Sequence, residues 1–216
     1  EPVSRSYTPV SSDVDKGFVD FVIKIYRSNV HPDFPEGGVM SQKIDKLEKG
    51  DSFSFRGPNG RLEYMGDGVF NIKQLKSQGG EIIEKKVKNV GMIAGGTGIT
   101  PMIQIIRAVL RNENDPTKLS LLFANKEERD IILRDKLENP DREFSDRFEV
   151  HYTLDKAEDG WSGFTGFIDE EMIRNTMPEP SDDTLMLLCG PPKMNSEAVK
   201  PALESIGYSP DSIFNF

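Results

Sequence analysis

The sequence predicts a two-part β plus α/β chain, a partial antiparallel barrel followed by a doubly wound domain on a parallel sheet. Three observations lead there. Residues 1–75 read as short β-like runs broken by turn signals. Residues 89–216 alternate strand and helix patterns, which implies a parallel sheet with crossover helices. Between them, the polar stretch 76–88 contains Gly79-Gly80 and reads as a linker.

In the first part, Arg5–Val10 and Phe18–Tyr26 are β-like, the latter dense in Phe, Val and Ile. Met40–Leu47 is expected to form a short helix. Ser52–Arg56 is a further strand, closed by the turn signal Gly57-Pro58-Asn59-Gly60. In the second part, the apolar run Val90–Ala94 stops at Gly95-Gly96. Pro101–Arg111 then carries Met102, Ile105, Ile106 and Val109 at helical spacing. Strands are expected at Leu119–Ala124, Phe148–Leu154, Leu185–Cys189 and, at the edge, Ser212–Phe216. Helices are expected at Asp130–Leu137, Glu170–Thr176 and Ala198–Ile206. No internal repeat is visible.

Composition excludes several classes of function. A chain of 216 residues with 36% hydrophobic and 29% charged residues describes an ordinary globular protein. The longest apolar windows, Val90–Ala94 and Leu185–Cys189, fall far short of the roughly 18–20 residues of a bilayer span. No secretory pattern is read at the N-terminus. The single cysteine cannot form an internal disulfide, which fits a reducing compartment. A net charge of −9 argues against nucleic acid as the main partner. Two histidines and one cysteine, far apart, offer no zinc cluster.

The strongest local signal is Gly95-Gly96-Thr97-Gly98-Ile99-Thr100-Pro101, placed where a buried strand ends and a helix begins. Glycines there let backbone amides approach a phosphate, and the helix N-terminus adds partial positive charge. Thr100 is expected as the N-cap, with Pro101 in the first turn, where no amide hydrogen is needed. Cys189-Gly190-Pro191-Pro192-Lys193-Met194 follows another apolar strand. Ligands of open α/β sheets bind outside the carboxyl ends of strands, so the two loops could face one cleft. Cys189 has no neighbouring histidine to activate it as a nucleophile and reads as a small apolar residue.

In the first part, Arg5 and Tyr7 of Arg5-Ser6-Tyr7-Thr8 share one face of a strand. A cation beside an aromatic ring suits a ligand carrying both phosphate and a planar ring. Within Phe18–Tyr26, Val19, Phe21, Ile23 and Ile25 are expected to make a core face. Val22 and Lys24 lie on the opposite, functional side. Gly37-Gly38-Val39-Met40-Ser41 offers a second backbone anion site ahead of the short helix.

Taken together, Arg5-Ser6-Tyr7-Thr8-Pro9, Gly37-Gly38-Val39-Met40-Ser41-Gln42, Gly95–Pro101 and Cys189-Gly190-Pro191-Pro192 resemble the NADH–cytochrome b5 reductase family of the ferredoxin–NADP reductase superfamily. Phe123-Ala124-Asn125, Asp130-Ile131-Ile132-Leu133-Arg134 and terminal Phe216 extend the likeness over essentially the whole chain. The flavin domain of assimilatory nitrate reductase carries nearly the same motifs. A nucleotide-binding relative without turnover is a further alternative, against which the intact motifs speak.

The resemblance implies an FAD-binding barrel (1–75) followed by an NADH-binding domain (89–216). It implies that Arg5 and Ser6 hold the flavin pyrophosphate, with Tyr7 against the ring system and Thr8 near its reactive edge. Val22 and Lys24 would line the flavin, Lys24 stabilising its anionic states. Val39, Met40 and Ser41 would hold the pyrophosphate through backbone and hydroxyl donors. Gly95, Gly96, Thr97, Gly98 and Pro101 would accommodate NADH, and Thr100 would approach the flavin. Cys189, Gly190, Pro191 and Met194 would position the nicotinamide. Lys24, Thr8 and Cys189 are thus the candidate catalytic residues. Asp155 resembles the acidic residue beside the adenosine ribose, and would favour NADH by repelling a 2′-phosphate.

The implied acceptor is cytochrome b5 or a similar haem protein. Family members carry roughly another fifty to seventy residues before the Arg5 motif, so this chain is expected to be a fragment. Membrane attachment, at the cytoplasmic side of the endoplasmic reticulum or outer mitochondrial membrane, would come only through such a segment. Acceptor steering usually relies on lysines around the flavin, whereas Val39 stands where many relatives have lysine. Lys73, Lys76, Lys85, Lys86 and Lys88 form a local basic group.

Overall fold

The computed structural model describes residues 3–30, 32, 34–138 and 146–216. The chain divides into two compact units, Glu1–Gly60 and Arg61–Phe216.

In the first unit, helix α1 (Val39–Ile44) begins one residue before the expected Met40 and stops short of Leu47. Its last turn tightens: Lys46 and Leu47 donate to the carbonyls of Lys43 and Ile44, a spacing of three residues. The expected strands Arg5–Val10, Phe18–Tyr26 and Ser52–Arg56 form no sheet among the described residues. Their apolar density marks surfaces suited to burial, but a strand also needs a partner to share its hydrogen bonds. What joins them is local. The Val10 amide donates to the Asp20 carbonyl at 2.8 Å, and the Asp20 amide to Ser11 Oγ at 2.9 Å. The Phe21 and Phe55 rings stack with centroids 5.2 Å apart. The expected core face is only partly built: Phe21, Ile23 and Ile25 are half-buried, while Val19 is exposed.

The second unit opens with an antiparallel meander of β1 (Leu62–Gly66), β2 (Val69–Lys73) and β3 (Ile82–Lys86), so the stretch read as a linker is largely ordered. Asp67-Gly68 makes the two-residue turn between β1 and β2, both with positive φ. Turns of that kind match the right-handed twist of a hairpin. Tyr64 anchors the meander. Its hydroxyl bonds Asp115, lies 3.2 Å from Thr117 Oγ1 and accepts from the Gly68 amide at 3.0 Å. Asp115, 1% exposed, also accepts from the amides of Asp67 and Thr117.

The main sheet contains β4 (Asn89–Gly95), β5 (Lys118–Asn125), β6 (Phe148–Leu154), β7 (Phe164–Thr165), β8 (Thr184–Cys189) and β9 (Ile213–Asn215). All neighbours are parallel, in the order β7-β6-β5-β4-β8-β9. The apolar runs explain why β4 and β8 lie inside the sheet rather than at its edges: Val90, Met92, Ile93, Ala94 and Leu185–Leu188 are all fully buried. A strand covered on both faces needs such a continuous run. The chain builds outward from β4 on one side, then crosses to β8 on the other. That reversal is the topological switch point.

Helix α2 (Ile99–Arg111) buries Met102, Ile105, Ile106 and Val109 as the spacing predicts. The helix expected at Asp130–Leu137 arrives as a turn, Glu128–Asp130, and helix α3 (Arg134–Glu138). Leu133, with φ of 59°, interrupts it, because a left-handed residue cannot continue a right-handed helix. Helix α4 (Glu170–Thr176) matches its expected bounds and is capped by Asp169, which accepts from the Met172 amide at 2.8 Å. The helix expected at Ala198–Ile206 begins earlier: the chain is helical from Pro192, winds more widely over Met194–Val199 and continues without a break as α5 (Lys200–Ile206). Pro201 has no amide to donate back to the preceding turn, which suits the wider winding there.

Candidate functional site

The site is built from the ends of β4 and β8. Ala94 pairs with Cys189, so the Gly95–Pro101 and Cys189–Met194 loops leave the sheet side by side. The glycines are required by this closeness. A Cβ on Gly98 would run into the carbonyl of Cys189, and one on Gly95 would lie 2.8 Å from both Pro191 Cδ and Met194 Sδ. A Cβ on Gly190 would collide with Met194 and come within 3.1 Å of the Gly95 amide. Gly96 faces open space, but its φ of +53° favours glycine.

The turn Gly96–Gly98 feeds directly into α2, whose N-cap is Gly98 with no side-chain cap. The expectation of Thr100 as the cap is therefore corrected. The turn starts the coil earlier, and Thr100 Oγ1 donates back to the Thr97 carbonyl at 3.2 Å. Pro101 falls in the first turn, as expected. The Ile99 amide is taken by the Gly96 and Thr97 carbonyls and Pro101 has none, so what the helix start offers is its positive dipole end beside glycines that allow close approach. This cradle fits the phosphates of a dinucleotide.

Cys189 is half-buried and free, and burial pushes its thiol pKa up. A thiol held protonated is a poor nucleophile. Asn195, which the sequence reading missed, holds the loop behind it: its Nδ2 donates to Asn215 Oδ1 of β9 at 2.9 Å. No sequence periodicity announces such a latch. Asp155 follows β6, exposed, with its amide on the Asn125 carbonyl at 3.0 Å. Partial desolvation raises its carboxyl pKa against the opposing pull of Lys126 and Lys156.

In the first unit, Arg5 and Ser6 are exposed, and Arg5 Nη1 donates to the Ser4 carbonyl at 2.7 Å. Tyr7, Thr8 and Val22 are half-buried, and Lys24 is exposed. Gly37 has φ of +68°, and a Cβ there would lie 2.6 Å from the Tyr26 carbonyl oxygen. The Gly38 amide donates to that same carbonyl at 2.8 Å. Val39 is exposed, Met40 half-buried and Ser41 buried. Ser41 Oγ donates to the Gly38 carbonyl and accepts from the Tyr26 amide, each at 3.1 Å. Its hydroxyl proton is thus committed inside the protein, and the first-turn amides of Val39–Ser41 are the donors left for an anion.

Comparisons with known proteins fit this geometry. The model of an oxidoreductase FAD-binding domain matches residues 1–64, and that of an oxidoreductase NAD-binding domain matches residues 92–200. NADH-cytochrome b5 reductase 3 of Rattus norvegicus is 53% identical over 99% of this chain and 70% of its own length. NADH-cytochrome b5 reductase 2 of Rattus norvegicus is 50% identical over 100% of this chain and 78% of its own length. Among solved structures, the cytochrome b5 reductase domain of Ulva prolifera nitrate reductase superposes with a TM-score of 0.91 at 41% identity. That match covers 99% of this chain and 79% of the other.

Proposed function

This chain belongs to the NADH–cytochrome b5 reductase family, and from that premise we propose how its residues divide the work. It is an FAD- and NADH-dependent oxidoreductase that moves electrons from NADH to a haem protein. Bound FAD and NADH supply the hydride and one-electron chemistry. Hydride transfer depends on ring alignment more than on an acid or base, so the task of the chain is to hold and orient.

We assign residues 1–75 to the flavin-binding part, 76–88 to a connection and 89–216 to the NADH-binding domain. Arg5, Ser6 and the Val39–Ser41 amides bind the flavin pyrophosphate. Tyr7, Thr8 and Val22 line its ring, and Lys24 lends positive charge to it. Gly95–Gly98 and the start of α2, with Thr100 and Pro101, take the NADH phosphates. Cys189, Gly190, Pro191 and Met194 pack the nicotinamide end, and Asp155 takes the adenosine ribose. An unchanged hydride-transfer rate in Lys24→Ala would remove that residue from the scheme.

The observation that carries the reading is the pairing of β4 with β8, which puts two glycine loops at one switch point. The acceptor is cytochrome b5 in this proposal, on the cytoplasmic side of a membrane such as the endoplasmic reticulum or outer mitochondrial membrane. The half-buried free thiol of Cys189 suits a reducing compartment there. The Ulva prolifera match favours a second reading, the electron-entry module of a nitrate reductase. Anaerobic addition of NADH to the flavin-loaded protein tests the scheme. Flavin absorbance is expected to bleach and to return on adding ferric cytochrome b5. Bands that persist would contradict the NADH reading, and bleaching without return to cytochrome b5 would contradict the acceptor.

A further inference from the structure

Asn125 closes β5 with 6% of its surface exposed, yet neither Nδ2 nor Oδ1 of its side chain has a hydrogen-bond partner. A buried amide left unpaired is costly, because no hydrogen bond offsets its loss of water. The backbone ladder shows where this amide stands. Ala124, one residue earlier, pairs with Gly95, where the glycine loop leaves β4. Asn125 itself pairs with Leu154, and its carbonyl accepts from the Asp155 amide at 3.0 Å. It therefore sits at the carboxyl end of the sheet, between the phosphate loop and the acidic residue assigned to the ribose. Ligands of this architecture bind beyond that end.

We propose that the Asn125 side chain is a nucleotide-positioning group that binds the adenosine half of the dinucleotide. An amide offers two N–H donors and one carbonyl acceptor. That set suits a ribose, whose hydroxyls both donate and accept, next to a phosphate, which only accepts. Asn195, the other buried amide with an orphan atom, already donates to Asn215 and is tied to β9. Asn125 has no such side-chain commitment among the described residues. The inference rests on the NADH reading above and adds a residue to it.

Calorimetric titration of the flavin-loaded protein with ADP, and separately with nicotinamide mononucleotide, tests it beside nucleotide-free thermal melts. The wild-type protein binds ADP. Asn125→Ala weakens ADP by about tenfold, the order expected for losing a hydrogen-bonded pair. It leaves nicotinamide mononucleotide binding unchanged, and the melting temperature of the nucleotide-free protein does not fall. Asn125→Asp weakens ADP further, because a carboxylate repels phosphate. Unchanged ADP affinity in Asn125→Ala overturns the inference while leaving the NADH reading intact. Equal loss of affinity for both probes, with a lower melting temperature, shows a structural role and overturns it too. Failure of the wild-type protein to bind ADP overturns the NADH reading, and this inference with it.

Discussion

The two units of the chain use similar β-forming sequence to very different ends. In Arg61–Phe216, β4 and β8 share a full ladder from Asn89–Thr184 to Ala94–Cys189, and their side chains are buried on both faces. In Glu1–Gly60, Phe18 and Phe55 are equally apolar but remain 54% and 67% exposed. The difference lies in where partners come from. A βα unit carries its cover next to it in sequence, since the helix after each strand packs back on the sheet. A barrel strand depends on partners set by long-range pairing, which its own pattern does not name.

Core substitutions sharpen that contrast most. Leu187→Ala, at a fully buried position of β8, is expected to cost about 2–5 kcal/mol in chemical denaturation. Phe55→Ala should cost under about 1 kcal/mol, since little of its area leaves water. Equal losses would break the comparison. Next in size is Gly98→Ala, whose new methyl meets backbone rather than a movable side chain. A destabilisation of about 1–3 kcal/mol is expected, with NADH affinity falling as the two loops separate. Gly38→Ala, where a Cβ would meet Ser41 Oγ at 2.5 Å, should be milder.

Tyr64→Phe should remove about 1–3 kcal/mol by taking one donor from buried Asp115 and the acceptor from the Gly68 amide, and the loss depends on pH. Burial works to raise the Asp115 pKa, but bonds from Thr117, Tyr64 and the Asp67 amide outweigh it and hold the pKa below 3.8. That contribution is present above 3.8 and disappears as pH falls through the lower folded value. Tyr64 is pushed up from 10.0 to about 12, by burial first and then by its bond to Asp115. Its contribution is complete below 10.0 and is lost as pH rises through about 12. Denaturation curves should show the wild-type advantage level between these limits and shrinking on the acid side. A gap that widens in acid would contradict this account. The smallest effect concerns specificity. Asp155→Thr should raise the NADPH over NADH ratio of kcat/KM by about tenfold, or about 1.4 kcal/mol, and no gain would remove the role of Asp155.

Much of the second unit could be read directly from the chain. Phe148–Leu154 and Glu170–Thr176 fall on their expected bounds, because uninterrupted apolar period and a capping aspartate fix both ends. Asp67-Gly68, an aspartate–glycine hairpin signal, was passed over in the sequence, and with it β1, β2 and β3, whose short apolar runs are interleaved with Glu, Asn and Lys. The glycine loops were visible as motifs, but their contact was not. Nothing local in Gly98 or Cys189 states that their strands are neighbours; that follows from the order of the sheet. Ser41 shows the opposite limit, since a hydroxyl suited to phosphate is spent on Gly38 instead.

The central claim is that one dinucleotide engages both loops at once. Titrating isotope-labelled protein with NAD⁺ and following backbone amide resonances tests it most directly. Signals from Gly95–Thr100 and from Gly190 and Met194 should move together and saturate at a single Kd. Movement confined to one loop, or to residues away from the carboxyl ends of β4 and β8, would contradict it.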